Sequence, residues 1–151
     1  MRSLAGNQAQ RFGMNETYTP PTILLVEEDD DVRPVLSQNL RNQGYHVVVA
    51  LNEADAIERT KGGSLCPDLI LLNQVGRSIQ EYAVMGQRIC KSAGIGSRTP
   101  IIVMAEQYGA DMEGKDVQVD ETEYVTYLED GQQLINLLHR LCPVKSELSE
   151  I

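Results

Sequence analysis

The sequence is poor in basic residues and has no cluster of them. Its 151 residues include 13 lysines and arginines against 22 acidic residues, a formal net charge of −9. Nucleic acids and anionic membrane surfaces attract basic proteins, so this balance argues against both as partners.

The chain also has no long apolar run and no closely spaced cysteines, and we expect no secretory leader. No apolar stretch approaches the ~20 residues that a membrane-spanning helix needs, and no apolar segment separates Arg2 from Arg11. The three cysteines, an odd number, are far apart at Cys66, Cys90 and Cys142. We expect reduced thiols packed as small apolar groups, in a cytoplasmic protein.

What the chain does contain is a regular alternation of strand and helix patterns. Residues 1–21 are polar, without apolar periodicity, and are predicted to be a flexible leader, in which Met14 is a plausible true start. Residues 22–142 are predicted to form one domain, and residues 143–151 a polar tail. His46 and His139 are isolated and have no partner at metal-ligand spacing.

Five apolar segments predict strands, at residues 23–26, 45–50, 67–73, 100–105 and 124–128. Capping patterns at Asn52 and Ser78, between strands, and at Asp130, after the last strand, predict helix starts. Residues 106–122, with two glycines and many acids, show only a ragged helical pattern. Such alternation predicts a parallel sheet with helices on both faces, whose ligands bind beyond the carboxyl ends of the strands. That edge would hold Glu27, Glu28, Asn73, Ala105 and Tyr127.

Residues 22–142 resemble the receiver domain of bacterial two-component response regulators. The resemblance lies in ILLVEEDDDVR at 23–33, PDLILL at 67–72, TPIIVM at 99–104 and YVT at 124–126. It implies an α/β, flavodoxin-like (CheY-like) doubly wound fold. The five-stranded parallel sheet would have strand order 2-1-3-4-5, and the fourth helix would be irregular or shortened.

The residues that carry receiver chemistry differ from the family pattern. The acidic pair of the family falls on Glu27 and Glu28, and its phosphate-accepting aspartate falls on Asn73. The switch hydroxyl falls on Ala105, and the lysine that pairs with the phosphoryl group falls on Tyr127.

Each difference weakens the phosphorylation mechanism. A carboxamide at Asn73 is a far poorer nucleophile than a carboxylate. Its neutral charge also lowers the affinity for a divalent cation, so no metal is expected beyond weak Mg²⁺ binding at Glu28 and Asn73. The family's switch aromatic is retained as Tyr124.

Other roles remain open for several of these residues. Asn73 could bond only to loop backbone, the two glutamates could line a vestigial pocket, and the Tyr127 hydroxyl could donate to either glutamate. Residues 29–31 could simply form a solvated first helical turn.

These patterns favour a stand-alone pseudo-receiver, not an enzyme, that acts by protein–protein contact in a phosphorelay. Its partner would be a histidine kinase or an output regulator, and a homodimer is possible. One alternative is an active regulator that responds to a small ligand or is phosphorylated on another acid. Asp68 is nearest in sequence but lies roughly 16 Å along its strand from Asn73. A flavodoxin-like enzyme is disfavoured, because acids follow the first strand where phosphate-binding glycines would be needed.

Overall fold

The computed structural model describes residues 18–96 and 98–145. Residues 18–21 have no helix or strand, whereas the rest of the predicted leader, with Met14, lies outside the described residues, as does the predicted tail beyond residue 145. The elements in chain order are β1 (Thr22–Val26), α1 (Val32–Asn42), β2 (His46–Ala50), α2 (Glu53–Thr60), β3 (Leu69–Asn73), α3 (Ile79–Ala93), β4 (Ile101–Met104), β5 (Asp116–Gln118), β6 (Glu123–Thr126) and α4 (Gly131–Leu141).

The sheet has the expected central order with one additional strand. Its order is β2-β1-β3-β4-β6-β5, in which β2, β1, β3, β4 and β6 are parallel. The predicted order 2-1-3-4-5 is confirmed for these five strands. The sixth strand, β5, runs antiparallel to β6 at the sheet edge.

Alternate residues of the parallel strands pack into two cores, one on each face of the sheet. On one face Leu25 and Leu71 pack with Leu137 of α4. On the other face Leu24 and Leu72 pack with Met85 of α3, and α2 contributes Ala56. Because both faces are covered, the strands read as continuous apolar runs.

The predicted helix starts are confirmed by their capping bonds. Asn52 accepts the Asp55 N–H at 2.8 Å, and Ser78 begins a capping box with Glu81. Asp130 accepts the Gln133 N–H at 3.0 Å. These side chains satisfy backbone donors that a helix start leaves unpaired.

Residues 106–122 form no helix, where a shortened or irregular one was expected. Gly109 and Gly114 interrupt the segment, and Gly114 has a φ of 84°, a conformation that favours glycine. The chain then pairs as β5 with β6, and Asp116 accepts hydrogen bonds from the buried Thr126 hydroxyl at 2.7 Å and from Gln133 at 2.8 Å. A β-hairpin therefore replaces the helix on the way from β4 to β6.

The three cysteines are free thiols in three different environments. Cys142 is buried and Cys90 is half-buried, but Cys66 is exposed, so the expectation of packed thiols is wrong for Cys66. Within the described parts of the chain, no helix is long and apolar enough to cross a membrane.

Candidate functional site

The carboxyl ends of β1 and β3 bring Glu27 and Asn73 together. The two strands are adjacent and parallel in register, with Val26 paired to Leu72. Glu27 follows β1 and Asn73 ends β3, so both side chains emerge at the same edge. The Asn73 amide donates to Glu27 Oε1 at 2.8 Å, although 46 residues separate them in sequence.

Glu27 is fully buried and is held by neutral donors. Besides the Asn73 amide, its other carboxylate oxygen accepts the backbone N–H of Asp29 at 3.2 Å. Burial raises the pKa of the Glu27 carboxyl above its ordinary value, and these two hydrogen bonds lower it only in part. The site therefore holds a carboxylate whose charge is costly to maintain.

Glu28 points to the outer part of the site and is bound by a cation from the protein itself. Its Oε2 lies 3.1 Å from a guanidinium nitrogen of Arg77, and its Oε1 accepts the Tyr82 hydroxyl at 2.9 Å. The Arg77 guanidinium also lies over the Tyr82 ring, 5.2 Å from its centre. Arg77 thus places a positive charge beside Glu28.

Hydrogen bonds join the loop after β3 to the loop after β4, next to the Arg77–Glu28 ion pair. The Gln74 side chain donates to the Arg77 carbonyl and accepts the Glu106 N–H, both at 2.8 Å. Glu106 in turn accepts the Gly76 N–H at 3.2 Å. These bonds hold the loop after β3 against the loop after β4, and they position Arg77 over Glu28.

The acidic run after Glu28 caps α1. Asp29 accepts the backbone N–H groups of Asp31 at 2.8 Å and Val32 at 3.1 Å. Asp30 forms an ion pair with Arg33 at 2.8 Å, and Arg33 also donates to the Glu27 carbonyl at 2.8 Å. Residues 29–31 therefore precede α1, which has no acidic residue in its first turn, so their interpretation as a first helical turn is wrong.

Ala105 and Tyr127 lie beside the site without bonding to the glutamates. The Ala105 N–H donates to the Thr126 carbonyl at 2.9 Å, and its methyl group offers no hydroxyl. The Tyr127 ring packs edge-on against Tyr108, with ring centres 5.3 Å apart. The donors to Glu27 and Glu28 are other residues, so the suggested Tyr127 bond is wrong.

Tyr124 lies on a different core from Ala105. It is half-buried against the core that contains α1 and α4, whereas Ala105 packs against the core that contains α2 and α3. Asp68 lies just before β3, at the amino-terminal ends of the strands and away from the site. Its carboxylate accepts the Thr22 N–H there at 2.8 Å.

Sequence reasoning missed Arg77 and Tyr82. The usable signal was topological, because the loop after β3 must lie beside the loop after β1 at the same edge of a parallel sheet. An arginine four residues beyond Asn73 can reach that acidic edge.

The side chains present do not fit a Mg²⁺ ion. A hard cation needs several oxygen ligands at one place. Here one Glu28 oxygen binds Arg77, and one oxygen of the buried Glu27 accepts the Asn73 amide. Asn73 itself is neutral, so it adds no negative charge to the site. Elsewhere in the described ranges, no group of three or more His, Cys, Asp or Glu side chains could hold a metal.

No protein-family model matches the chain. Among curated proteins, the transcriptional regulatory protein AfsQ1 of Streptomyces coelicolor is 29% identical over 84 residues, which are 56% of this chain and 34% of that protein. The match thus spans about a third of the relative's length.

Solved structures give a much longer match. The N-terminal domain of a response regulator/sensory box/GGDEF protein from Carboxydothermus hydrogenoformans is 25% identical, with a TM-score of 0.55, covering 85% of this chain and 96% of that chain. Chemotaxis protein CheY4 of Vibrio cholerae is 19% identical, with a TM-score of 0.58, covering 82% and 99%.

A third neighbour was solved with a magnesium ion coordinated in its active-site cleft. It is the receiver domain of a Pseudomonas aeruginosa sensor histidine kinase, 21% identical with a TM-score of 0.59, covering 82% of this chain and 98% of its own. The chain therefore has the receiver fold of CheY-like response regulators.

Proposed function

We propose that this protein is a pseudo-receiver in two-component signalling, which acts by protein–protein contact without phosphorylation at position 73. The main support is that both glutamates of the site are bonded to other side chains of the protein. Asn73 bonds to Glu27, and Arg77 bonds to Glu28.

The nucleophile is the first requirement that the site lacks. An aspartyl phosphate forms when a carboxylate oxygen attacks a phosphoryl group. Asn73 presents a carboxamide, whose nitrogen donates to a buried glutamate. Its lone pair is delocalised into the amide, so this side chain cannot form the same acyl phosphate.

Among the described residues of the site, there is also no free cation, and no hydroxyl at position 105, to bind a phosphoryl group. Tyr127 offers no cation, and Arg77 is engaged with Glu28 and stacked on Tyr82. Ala105 has no hydroxyl with which to follow a phosphate into the site. A signal that passes through this protein would depend on which surfaces it presents to a histidine kinase or an output regulator.

The alternative functions find less support in the geometry. Phosphorylation of Asp68 would occur at the opposite edge of the sheet, where the carboxylate caps the start of β1. A flavodoxin-like enzyme would need phosphate-binding backbone after β1, but residues there are acidic, and Asp29 already accepts the N–H groups of Asp31 and of Val32, the first residue of α1.

A phosphodonor assay tests the proposal. The wild-type chain is incubated with acetyl phosphate or a phosphorylated histidine kinase, in Mg²⁺, and intact mass is measured before and after hydroxylamine treatment. We expect no hydroxylamine-labile phosphoryl group. The same assay on Asn73→Asp should give at most weak labelling, because Ala105 and Tyr127 remain.

The matched control is the triple variant Asn73→Asp, Ala105→Thr, Tyr127→Lys, which restores the family's residues on this fold. Labelling of that variant alone would support the proposal and would show that the assay works. A labile phosphoryl group on the wild-type chain would contradict it.

A further inference from the structure

The second feature of this fold is an open groove between α3 and the β5–β6 hairpin. Its volume is about 400 Å³. The floor is formed by the side of the sheet that faces α3, and the walls by α3 and the residue after β5. The apolar lining comprises Ile79, Ala83, Ile101, Val103, Val119 and Val125.

The groove exists because one crossover has no helix. The connections β1 to β2, β2 to β3 and β3 to β4 each contain a helix that covers the sheet. The connection from β4 to β6 contains the hairpin strand β5, which extends the sheet sideways instead of covering it. Among the described residues, the flank of α3 that faces the hairpin therefore has no second helix beside it, whereas Ile101, Val103 and Val125 of the strands below are already buried.

The groove continues along the whole of α3. A second cavity of about 330 Å³ adjoins it and shares Gln87, Ile101 and Glu123 with it. The lining residues of α3 recur at helical spacing from Ile79 to Cys90. A 15-residue helix is about 22 Å long, so the groove offers room for roughly four turns of another helix.

Two acidic side chains lie on the hairpin side of the groove. The segment 106–130 contains nine acidic residues and one lysine, but Glu106, Asp116 and Asp130 are bonded to other elements. Asp120 and Glu123 lie in the lining itself, and Lys91 lies at the far end of the second cavity. An occupant that meets this rim needs basic side chains on its flanks.

We propose that the groove binds an amphipathic helix of a partner protein, with an apolar stripe that packs between α3 and Val125 and lysines or arginines that face the acidic rim. The inference rests on the proposed function, since it assigns the contact surface of the pseudo-receiver. A helix laid into an apolar groove is a common mode of peptide recognition, in which one face of the helix supplies the anchors.

The test uses a synthetic peptide of about 16 residues, with leucines at i, i+3, i+4 and i+7 and lysines elsewhere. The control is a peptide with the same amino acids in scrambled order, which keeps the charge but has no apolar stripe. Binding to the full chain is measured by fluorescence anisotropy at moderate salt. We expect the striped peptide to bind at least about ten-fold more tightly than the scramble.

Matched variants locate the binding site. Ala83→Arg places a bulky cation in the groove and should weaken binding at least about ten-fold. Val35→Arg makes the same charge change at an exposed position on α1, and should leave binding within about two-fold of wild type. Val119→Lys, at a position that is 53% exposed, probes the other wall should Ala83→Arg fail to fold.

Several outcomes would overturn the inference. Equal affinity for the scramble, or equal weakening by Val35→Arg, would show attraction by charge alone. Self-association that Ala83→Arg abolishes, without peptide binding, would identify a second copy as the occupant. Phosphorylation of the wild-type chain would refute the proposed function alone, whereas absent peptide binding in an unphosphorylated chain would refute only the groove.

Discussion

The acidic edge around Glu27 and the groove beside α3 belong to the same sheet, but they differ in whether their side chains are bonded within the protein or line an open cavity. At the edge, both glutamates are bonded to side chains of the protein. In the groove, apolar side chains of α3 and the sheet line an open cavity with an acidic rim. We therefore expect ligand binding to be weaker at the acidic edge than in the groove.

The two sides of α3 give the largest expected contrast. A Cβ atom at Gly86 would lie 2.7 Å from an Ile101 methyl carbon and 3.3 Å from Leu72, so Gly86→Leu should lower the free energy of unfolding by about 3 kcal/mol. Ala83→Leu, which points into the groove, should change it by less than about 0.5 kcal/mol. Urea unfolding measures both. Similar losses in the two variants would mean that the groove is filled in solution.

The bond between Asn73 and Glu27 is the next test. Asn73→Leu removes a donor from a fully buried carboxylate and should cost about 2 kcal/mol at pH 7. Asn42→Ala, which removes an exposed side-chain bond to Gln38, should cost less than about 0.5 kcal/mol. The measurement is again urea unfolding. Equal losses would indicate that Glu27 finds another donor.

Removing the Arg77 side chain, which frees Glu28, should change Mg²⁺ affinity more than the free energy of unfolding. Arg77 and Glu28 are partly exposed, with side-chain exposures of 42% and 30%, so Arg77→Ala should destabilise the fold by less than about 1 kcal/mol. Loss of that cation should nevertheless raise Mg²⁺ affinity several-fold, as measured by calorimetric titration. Arg59→Ala removes a comparable surface ion pair with Asp55 and should leave Mg²⁺ affinity unchanged.

The smallest expected effect is a pH dependence due to Glu27. Burial raises the pKa of its carboxyl from 4.5, so the folded protein takes up this proton at a higher pH than the unfolded chain does. The contribution of Glu27 to stability is therefore unfavourable at neutral pH. It becomes less so as the pH falls through the raised pKa towards 4.5.

The variant Glu27→Gln has no such proton to take up. The free energy of unfolding of the wild type should rise relative to that of Glu27→Gln as the pH falls from 7 towards 4.5, as measured by urea unfolding at several pH values. Glu53, whose pKa is lowered by its bond to Arg88, loses stabilisation at low pH equally in both proteins, so its effect cancels. A constant difference would contradict the raised pKa.

Much of the fold could be predicted because its signals are local. The apolar runs of the parallel strands, and caps such as Asn52 and Asp130, each occupy a few neighbouring residues. The hairpin was harder to see, although Val117 and Val119 alternate with polar residues before a polar turn, which is a strand pattern. Its three-residue strand is stabilised by Asp116 bonding to β6 and α4, which is a tertiary effect.

The amino-acid sequence by itself determined the order of the elements and the presence of a carboxamide at position 73, since both depend on residue type and local spacing. Tertiary structure decided which groups that carboxamide and the two glutamates bond to. Arg77 meets Glu28 across 49 residues of sequence, and Asn73 meets Glu27 across 46, because parallel pairing of β1 and β3 brings their ends together. The groove likewise follows from where β5 pairs, which the composition of its three residues does not specify.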